Sequence, residues 1–393
     1  MIMQFHIIRC LFKYTIYYSY RRRIKFLYII SILLCIIGGI WLLIILYFQD
    51  YQLFHFPPNY DLYKIYEEER IRMNSSLSSI WKIIFPLSST EYKLMCMIKN
   101  HPCNNSNNES LYHTADILFI IRSHVNHFTQ RQAIRQTWAN QKCYENFGIY
   151  IRSLFILGKI NNYYDQIINI KIDQLNRNNH HDDDNIKKLY YEHFNYHDII
   201  QFDFIDNYSN LLNKWIGSID FIMKYCLNNE KSFIILMDDD YFLHPMNLIQ
   251  LLHGITPSQY RIYASGQLQH ISYPIRIPFH SRYISLTDYP YNIYPPYLFG
   301  GTIILSMPVV QLLYIGFRYI KHIPYDDIML GIVLLKFGIT PIHLKHIYST
   351  YSPDIYTLKQ IPFISVHGYN TPTSLNSLWS ELNMNYVCRM KKM

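Results

Sequence analysis

Three aspartates in a row, Asp238-Asp239-Asp240, follow the unbroken apolar run Phe233-Ile234-Ile235-Leu236-Met237. A short run with β-branched residues reads as a strand buried on both faces. Side chains alternate along a strand, which sends Asp238 and Asp240 to one side and Asp239 to the other. Carboxylates crowded at the edge of a core repel one another and are poorly solvated. A divalent cation relieves that, and hard oxygen ligands suit magnesium or manganese; the plainer reading is an acidic turn. A second acid pair, Asp326-Asp327, opens the apolar stretch Ile328 to Phe337, which Gly338 closes. That is the pattern of a buried helix with acids in its first turn. One of the two is a candidate general base, and helix capping is the competing role. A third cluster, His180-His181-Asp182-Asp183-Asp184, has only polar neighbours and reads as a solvated loop.

The elements that position these acids alternate in type. Ala115 to Ile121, Leu154 to Gly158 and Asp198 to Phe204 read as strands. Between them lie a helix from Gln130 to Trp138, capped by Thr129, and a polar stretch over 159–188. Asn210 to Cys226 is helical, with Leu211, Trp215, Ile219, Ile222 and Cys226 on one face. Strands alternating with helices imply a mostly parallel sheet, and such sheets bind ligands beyond the carboxyl ends of their strands, where Asp238 to Asp240 fall. Downstream, Tyr289-Pro290 and Tyr294-Pro295-Pro296-Tyr297 lead to Gly300-Gly301 and a strand from Thr302 to Leu305. Aromatic rings beside acids suit the apolar faces of sugars. The paired glycines either let backbone approach closely or form a turn.

Of the net charge of +8, six units come from Arg9, Lys13, Arg21, Arg22, Arg23 and Lys25, leaving +2 for the other residues. The basic balance therefore carries no argument for nucleic acid. Phe26 to Phe48 is charge-free over 23 residues, about 34 Å as a helix and enough to span a bilayer. It is too long for the apolar core of a cleaved signal, and no small-residue cleavage site follows. The cations before it orient the N-terminus to the cytoplasm and the rest to a lumen. Asn74, Asn104, Asn108 and Asn207 each open a glycosylation sequon, and five cysteines follow the anchor. No second charge-free run is long enough to span a membrane. The expected organisation is a cytoplasmic tail over 1–25, a transmembrane anchor over 26–48, a lumenal stem over 49–113 and a globular domain over 114–393.

Several segments together resemble the Golgi β-1,3-glycosyltransferases, the galactosyl- and N-acetylglucosaminyltransferases of glycosyltransferase family 31. They are Arg131-Gln132-Ala133-Ile134-Arg135-Gln136-Thr137-Trp138, Phe155-Ile156-Leu157-Gly158, Glu192 with Tyr196, Asp198 to Ile200, Asp203 to Leu211 with Lys214, and Asp238 to Asp240 with Phe242. Tyr294-Pro295-Pro296-Tyr297 with Gly300, Asp326-Asp327 with Gly331, and His367 with Trp379 continue the order. The chain departs from the family at Leu212, at Ser281-Arg282, at Gly300-Gly301-Thr302 and in having Asp-Asp where many galactosyl members have Glu-Asp.

The resemblance implies a GT-A-type α/β fold with a mostly parallel sheet flanked by helices. It implies an inverting transfer of galactose or N-acetylglucosamine from a UDP-sugar to a glycan hydroxyl in β-1,3 linkage, in a type II Golgi membrane protein. By the same resemblance Asp238, Asp240 and His367 hold Mn²⁺, Arg131, Arg135, Asp238 and Asp239 bind the UDP-sugar, and Asp327 is the catalytic base. The expected partners are UDP-galactose or UDP-N-acetylglucosamine, a glycan acceptor and the lipid bilayer, with no nucleic acid. The departures at Leu212 and Ser281-Arg282 keep a rival reading in play: a lumenal glycan-binding relative with the same fold and no activity.

Overall fold

The computed structural model describes residues 25–45, 61–75, 115–159, 181–226 and 232–389. The chain divides into two units, Met1–Phe56 and Pro57–Met393. The first contains helix α1, Lys25–Ile45, whose mean hydropathy reaches 2.8 and whose side chains find no cover within the protein. By length and composition it is able to cross a membrane, consistent with the expected type II anchor. The tail, most of the expected stem and the sequons at Asn104 and Asn108 lie outside the described residues.

The second unit is built on a seven-stranded sheet in the order β3-β2-β1-β4-β7-β6-β8. Strands β1 (Ile117–Arg122), β2 (Ile151–Lys159), β3 (Ile199–Ile205) and β4 (Phe233–Asp238) are mutually parallel. Strand β7 (Tyr297–Ser306) runs antiparallel to both β4 and β6 (Ala264–Gln269), and β8 (Ile342–His343) completes the edge. The all-apolar interiors of β1 and β4 are the reason these strands occupy the middle, where both faces are covered. A small second sheet, β5 (Tyr241–Leu243), β10 (Ser365–His367) and β9 (Ile347–Tyr348), continues the chain just past Asp240.

Two registers matter for chemistry. In the β1–β4 ladder Arg122 lies opposite Asp238, one step beyond Ile121 opposite Met237. In the β5–β10 ladder His367 lies opposite Tyr241. The first pairs a cation with the start of the acid triplet, and the second brings an imidazole to its end.

The flanking helices bury their apolar faces on the sheet. Helix α3 spans Phe128–Gln136, α4 His181–Tyr196, α5 Leu211–Tyr225, α6 Pro245–His253, α7 Met307–Tyr319 and α8 Asp326–Lys336. Trp215, Ile219 and Ile222 of α5 are buried as the periodicity required. Gly338, with φ of +64°, ends α8 as its position predicted.

Three local expectations are corrected, and one open alternative, at the paired glycines, is decided. His127, not Thr129, occupies the N-cap of α3, and no side chain caps that helix. Asp182 to Asp184 lie in the first turn of α4 rather than in a loop, a place where acids are favoured by the helix dipole. Gly300-Gly301 sit inside β7, not in a turn; a Cβ on Gly301 would run into the Tyr241 ring, so the pair serves close approach. Within the stretch read as stem, helix α2 (Leu62–Ser75) packs on the body. Leu62 is buried, the Tyr66 hydroxyl donates to Gln311 Oε1 at 3.2 Å, and Tyr63 stands edge-on to Phe337 at 5.2 Å while donating to its carbonyl.

Cys143 and Cys388 form a disulfide that ties the C-terminal segment back to the region after α3, Cys226 is also disulfide-bonded, and Cys35 in α1 is free.

Candidate active site

The carboxyl ends of β1 and β4 meet α5 and α8 around one guanidinium. Arg122 is almost wholly buried, and its position at the end of an apolar strand leaves it no route to solvent. Its Nε donates to Asp238 Oδ1 at 2.6 Å and its NH2 to Asp238 Oδ2 at 3.0 Å, a bidentate pair set by the ladder register. Its NH1 donates to Asp326 Oδ2. The same carboxylate oxygen accepts from Trp215 Nε1 at 2.6 Å, and the guanidinium lies 4.2 Å above the Trp215 ring. NH2 also reaches the Gly300 carbonyl at 3.3 Å. Burial works against the charge on Arg122, but the two carboxylates more than offset it and hold the group protonated. Burial likewise pushes the Asp238 carboxyl up to about 6, with Arg122 pulling the other way.

Asp326 is therefore not a helix cap, and α8 has no side-chain cap at Tyr325 either. Asp327, its neighbour, accepts the adjacent Ile328 N–H at Oδ1, at 2.8 Å. Burial, then the charge of Asp326, push Asp327 up to about 7. A carboxylate with that affinity for a proton is suited to general-base work near neutral pH. The rings of Tyr294 and Tyr325, 6.5 Å apart, and Tyr297 lie on its side of the site. Gly331 lets α8 approach that wall: a Cβ there would lie 2.7 Å from Tyr297 Cβ.

The other two acids of the triplet have separate partners. Asp239 Oδ2 lies 2.8 Å from His127 Nδ1, and its backbone carbonyl accepts from Gln130 Nε2 at 2.7 Å. That hydrogen bond, against partial burial, raises the His127 imidazole above its ordinary range. Asp240 Oδ2 lies 3.0 Å from His367 Nε2, while Asp240 Oδ1 is buried and meets no hydrogen-bond partner. A buried, unpartnered carboxylate oxygen beside an imidazole fits one arm of a divalent-cation site. Among the described residues no group of three or more His, Cys, Asp or Glu side chains is disposed around a cation. A two-residue arm is the pattern of sites in which substrate phosphates complete the coordination. Of the two acids expected on the metal, Asp238 accepts from Arg122 at both oxygens, while Asp240 keeps one oxygen without a hydrogen-bond partner.

Arg131 and Arg135 also depart from expectation. Arg131 is fully buried and binds Glu192 through Nε at 2.9 Å and NH2 at 2.6 Å, with further bonds to Ser123 and the carbonyls of His124 and Val125. Arg135 binds Glu192 at 2.8 Å and Asp198 at 2.7 and 2.8 Å, and lies over Phe155 and Tyr196. Neither guanidinium has a face left for a diphosphate; they fix α3 and α4 against the sheet and brace the loop after β1.

Arg122 is the site residue that sequence reading missed. One signal pointed to it: a cation at the end of a buried strand has to meet a buried anion.

The site is thus an acidic cleft with an aromatic wall at the carboxyl ends of the strands of an open α/β sheet, parallel through its centre. Residues 177–345 match the family model described as galactosyltransferase. The chain is 28% identical over 275 residues to "Beta-1,3-galactosyltransferase brn" of Drosophila melanogaster, covering 68% of this chain and 74% of that one. It is 26% identical over 276 residues to "UDP-GalNAc:beta-1,3-N-acetylgalactosaminyltransferase 1" of Homo sapiens, covering 69% and 76%. It is 25% identical over 307 residues to "Beta-1,3-galactosyltransferase bre-5" of Caenorhabditis elegans, covering 76% and 84%. Over these residues the chain is similar to β-1,3-glycosyltransferases.

Proposed function

We propose that the chain is an inverting β-1,3-hexosyltransferase that moves galactose or an N-acetylhexosamine from a UDP-sugar to a glycan hydroxyl. It acts as a single-pass type II protein of the Golgi membrane, with α1 as its anchor. The names of the relatives add N-acetylgalactosamine to the galactose and N-acetylglucosamine suggested by the family resemblance. The observation that carries the reading is Asp327: a half-buried carboxylate with raised proton affinity, without a cation partner of its own, on the side of the site lined by tyrosines.

Asp240 and His367 are the residues that would hold Mn²⁺, which when bound supplies positive charge for the departing diphosphate. The acceptor hydroxyl oxygen forms a bond to the anomeric carbon from the face opposite UDP. The hydroxyl proton passes to an Asp327 oxygen. The bond from the anomeric carbon to the diphosphate oxygen breaks, its electron pair leaves with UDP, and inversion follows from the opposed faces. Tyr294, Tyr297 and Tyr325 shield the reacting centre from water on that side.

The test is UDP release by the full-length chain in detergent, with Mn²⁺ and each of UDP-galactose, UDP-N-acetylglucosamine and UDP-N-acetylgalactosamine, with and without a panel of neutral glycosides. Metal-dependent release that an acceptor stimulates, and a β-anomeric product by NMR, is the expected result. No release from any donor would return the chain to the non-catalytic binding reading.

A further inference from the structure

Two adjacent carboxylates open α8, and chemistry needs one of them free. The structure distinguishes them through a residue outside the helix. A Cβ placed on Gly300 would lie 3.2 Å from Arg122 NH2, 3.3 Å from Asp326 Oδ2 and 3.8 Å from Asp327 Cβ, so these three side chains converge on one point of β7. Arg122 reaches that point from β1, already committed through two bonds to Asp238 of β4. Its NH1 donates to Asp326, which Trp215 also holds. Asp327 receives neither.

We infer that Arg122 is the positioning residue that selects the base: it neutralises Asp326 and locks it to the end of β4, leaving Asp327 as the carboxylate that takes the acceptor's proton. The inference rests on the transferase reading above and adds a part that reading does not contain. The guanidinium joins the strand that presents Asp240 to the helix that presents Asp327, so one buried cation fixes the distance between the metal arm and the base. The charged and titratable groups facing Asp327 are Asp326 on its own helix, Arg122 from β1, Tyr294 from the segment leading into β7 and Tyr297 at the start of β7. Of these, Asp326 and Arg122 act on it with opposite sign.

That opposition gives the test. The pH dependence of kcat/KM for the acceptor is measured at saturating UDP-sugar and Mn²⁺ for wild type, Arg122→Gln and Asp326→Asn, with thermal melting to confirm folding. Removing the cation should move the acid limb up by on the order of 1 pH unit, and removing the like charge should move it down by a similar amount. A merely structural Arg122 would lower the melting temperature and leave both limbs in place, which overturns the inference. Arg122→Lys keeps the charge but not the fork, and should leave the limb near its wild-type position while lowering kcat at least about tenfold through lost geometry. Where Arg122→Gln does not fold, Asp326→Asn decides alone. A downward limb with activity retained supports the inference. A folded but inactive Asp326→Asn makes Asp326 the base and overturns it. Either outcome is distinct from failure of the transferase reading, in which wild type itself turns over no donor.

Discussion

Two buried arginine clusters lie within the same domain, and they differ in charge balance. In the first, Arg131 and Arg135 face Glu192 and Asp198, two cations for two anions, with every fork position answered by a carboxylate or carbonyl. In the second, Arg122 faces Asp238 and Asp326 while Asp327 and Asp240 crowd the same cleft, the last with a buried oxygen that has no partner. Burying charge is costly unless it is paired and hydrogen-bonded. The balanced cluster meets that cost internally and is architecture. The unbalanced one carries a surplus of carboxylates, which is what the proposed metal-assisted transfer would draw on.

The comparison breaks most visibly at Asp327. Asp327→Asn keeps size and the acceptor for Ile328 N–H but cannot take a proton at neutral pH. Turnover at saturating acceptor should fall roughly 10²- to 10⁴-fold, the usual worth of a positioned base, with UDP binding by calorimetry nearly unchanged. The balanced cluster should respond in stability instead. Glu192→Gln leaves Arg131 buried with half its partner gone, and breaking a buried pair costs about 3–5 kcal/mol. Denaturant unfolding should show that loss, while activity per folded molecule stays near wild type. Equal loss of turnover in folded Glu192→Gln would erase the distinction between the clusters.

A third prediction concerns the metal arm. His367→Ala removes the imidazole beside Asp240 and should raise the Mn²⁺ concentration for half-maximal activity at least about tenfold, the low end of what even outer partners of a metal contribute. An unchanged Mn²⁺ titration would remove His367 from the site.

How much of this was legible depends on range. The strand ending in Asp238 to Asp240 and the helix opening at Asp326 are local patterns, an apolar run with acids at one end, and both were read correctly. The partnerships were not. Arg122 meets Asp238 across 116 positions and Asp326 across 204, so nothing near it in sequence says what it binds. Arg131 and Arg135 carry the family's motif and looked like anion binders; Glu192, 61 positions from Arg131, is what claims them. Asp182 to Asp184 were read as a loop from polar composition alone, yet acids at a helix start are favourable, and composition cannot separate the two.

The smallest expected effect is the most discriminating, because function and stability move in opposite directions. The Asp327 carboxyl titrates at about 7 in the folded protein against an ordinary value of 3.8, so folding favours its protonated form. Between those values the folded state binds more protons than the unfolded chain, and stability falls as pH rises toward about 7. Above that, the ionised group is a standing cost, reduced by the nearby Arg122 and by residual solvent access to something on the order of 1 kcal/mol. Asparagine in its place carries no charge at any pH. Asp327→Asn should therefore match wild type near pH 4 and exceed it in denaturant stability at pH 8, without Mn²⁺, while being the least active variant of those described. A variant as stable as wild type at both pH values would mean that Asp327 ionises as an ordinary surface acid, and the reason for choosing it over Asp326 as the base would be gone.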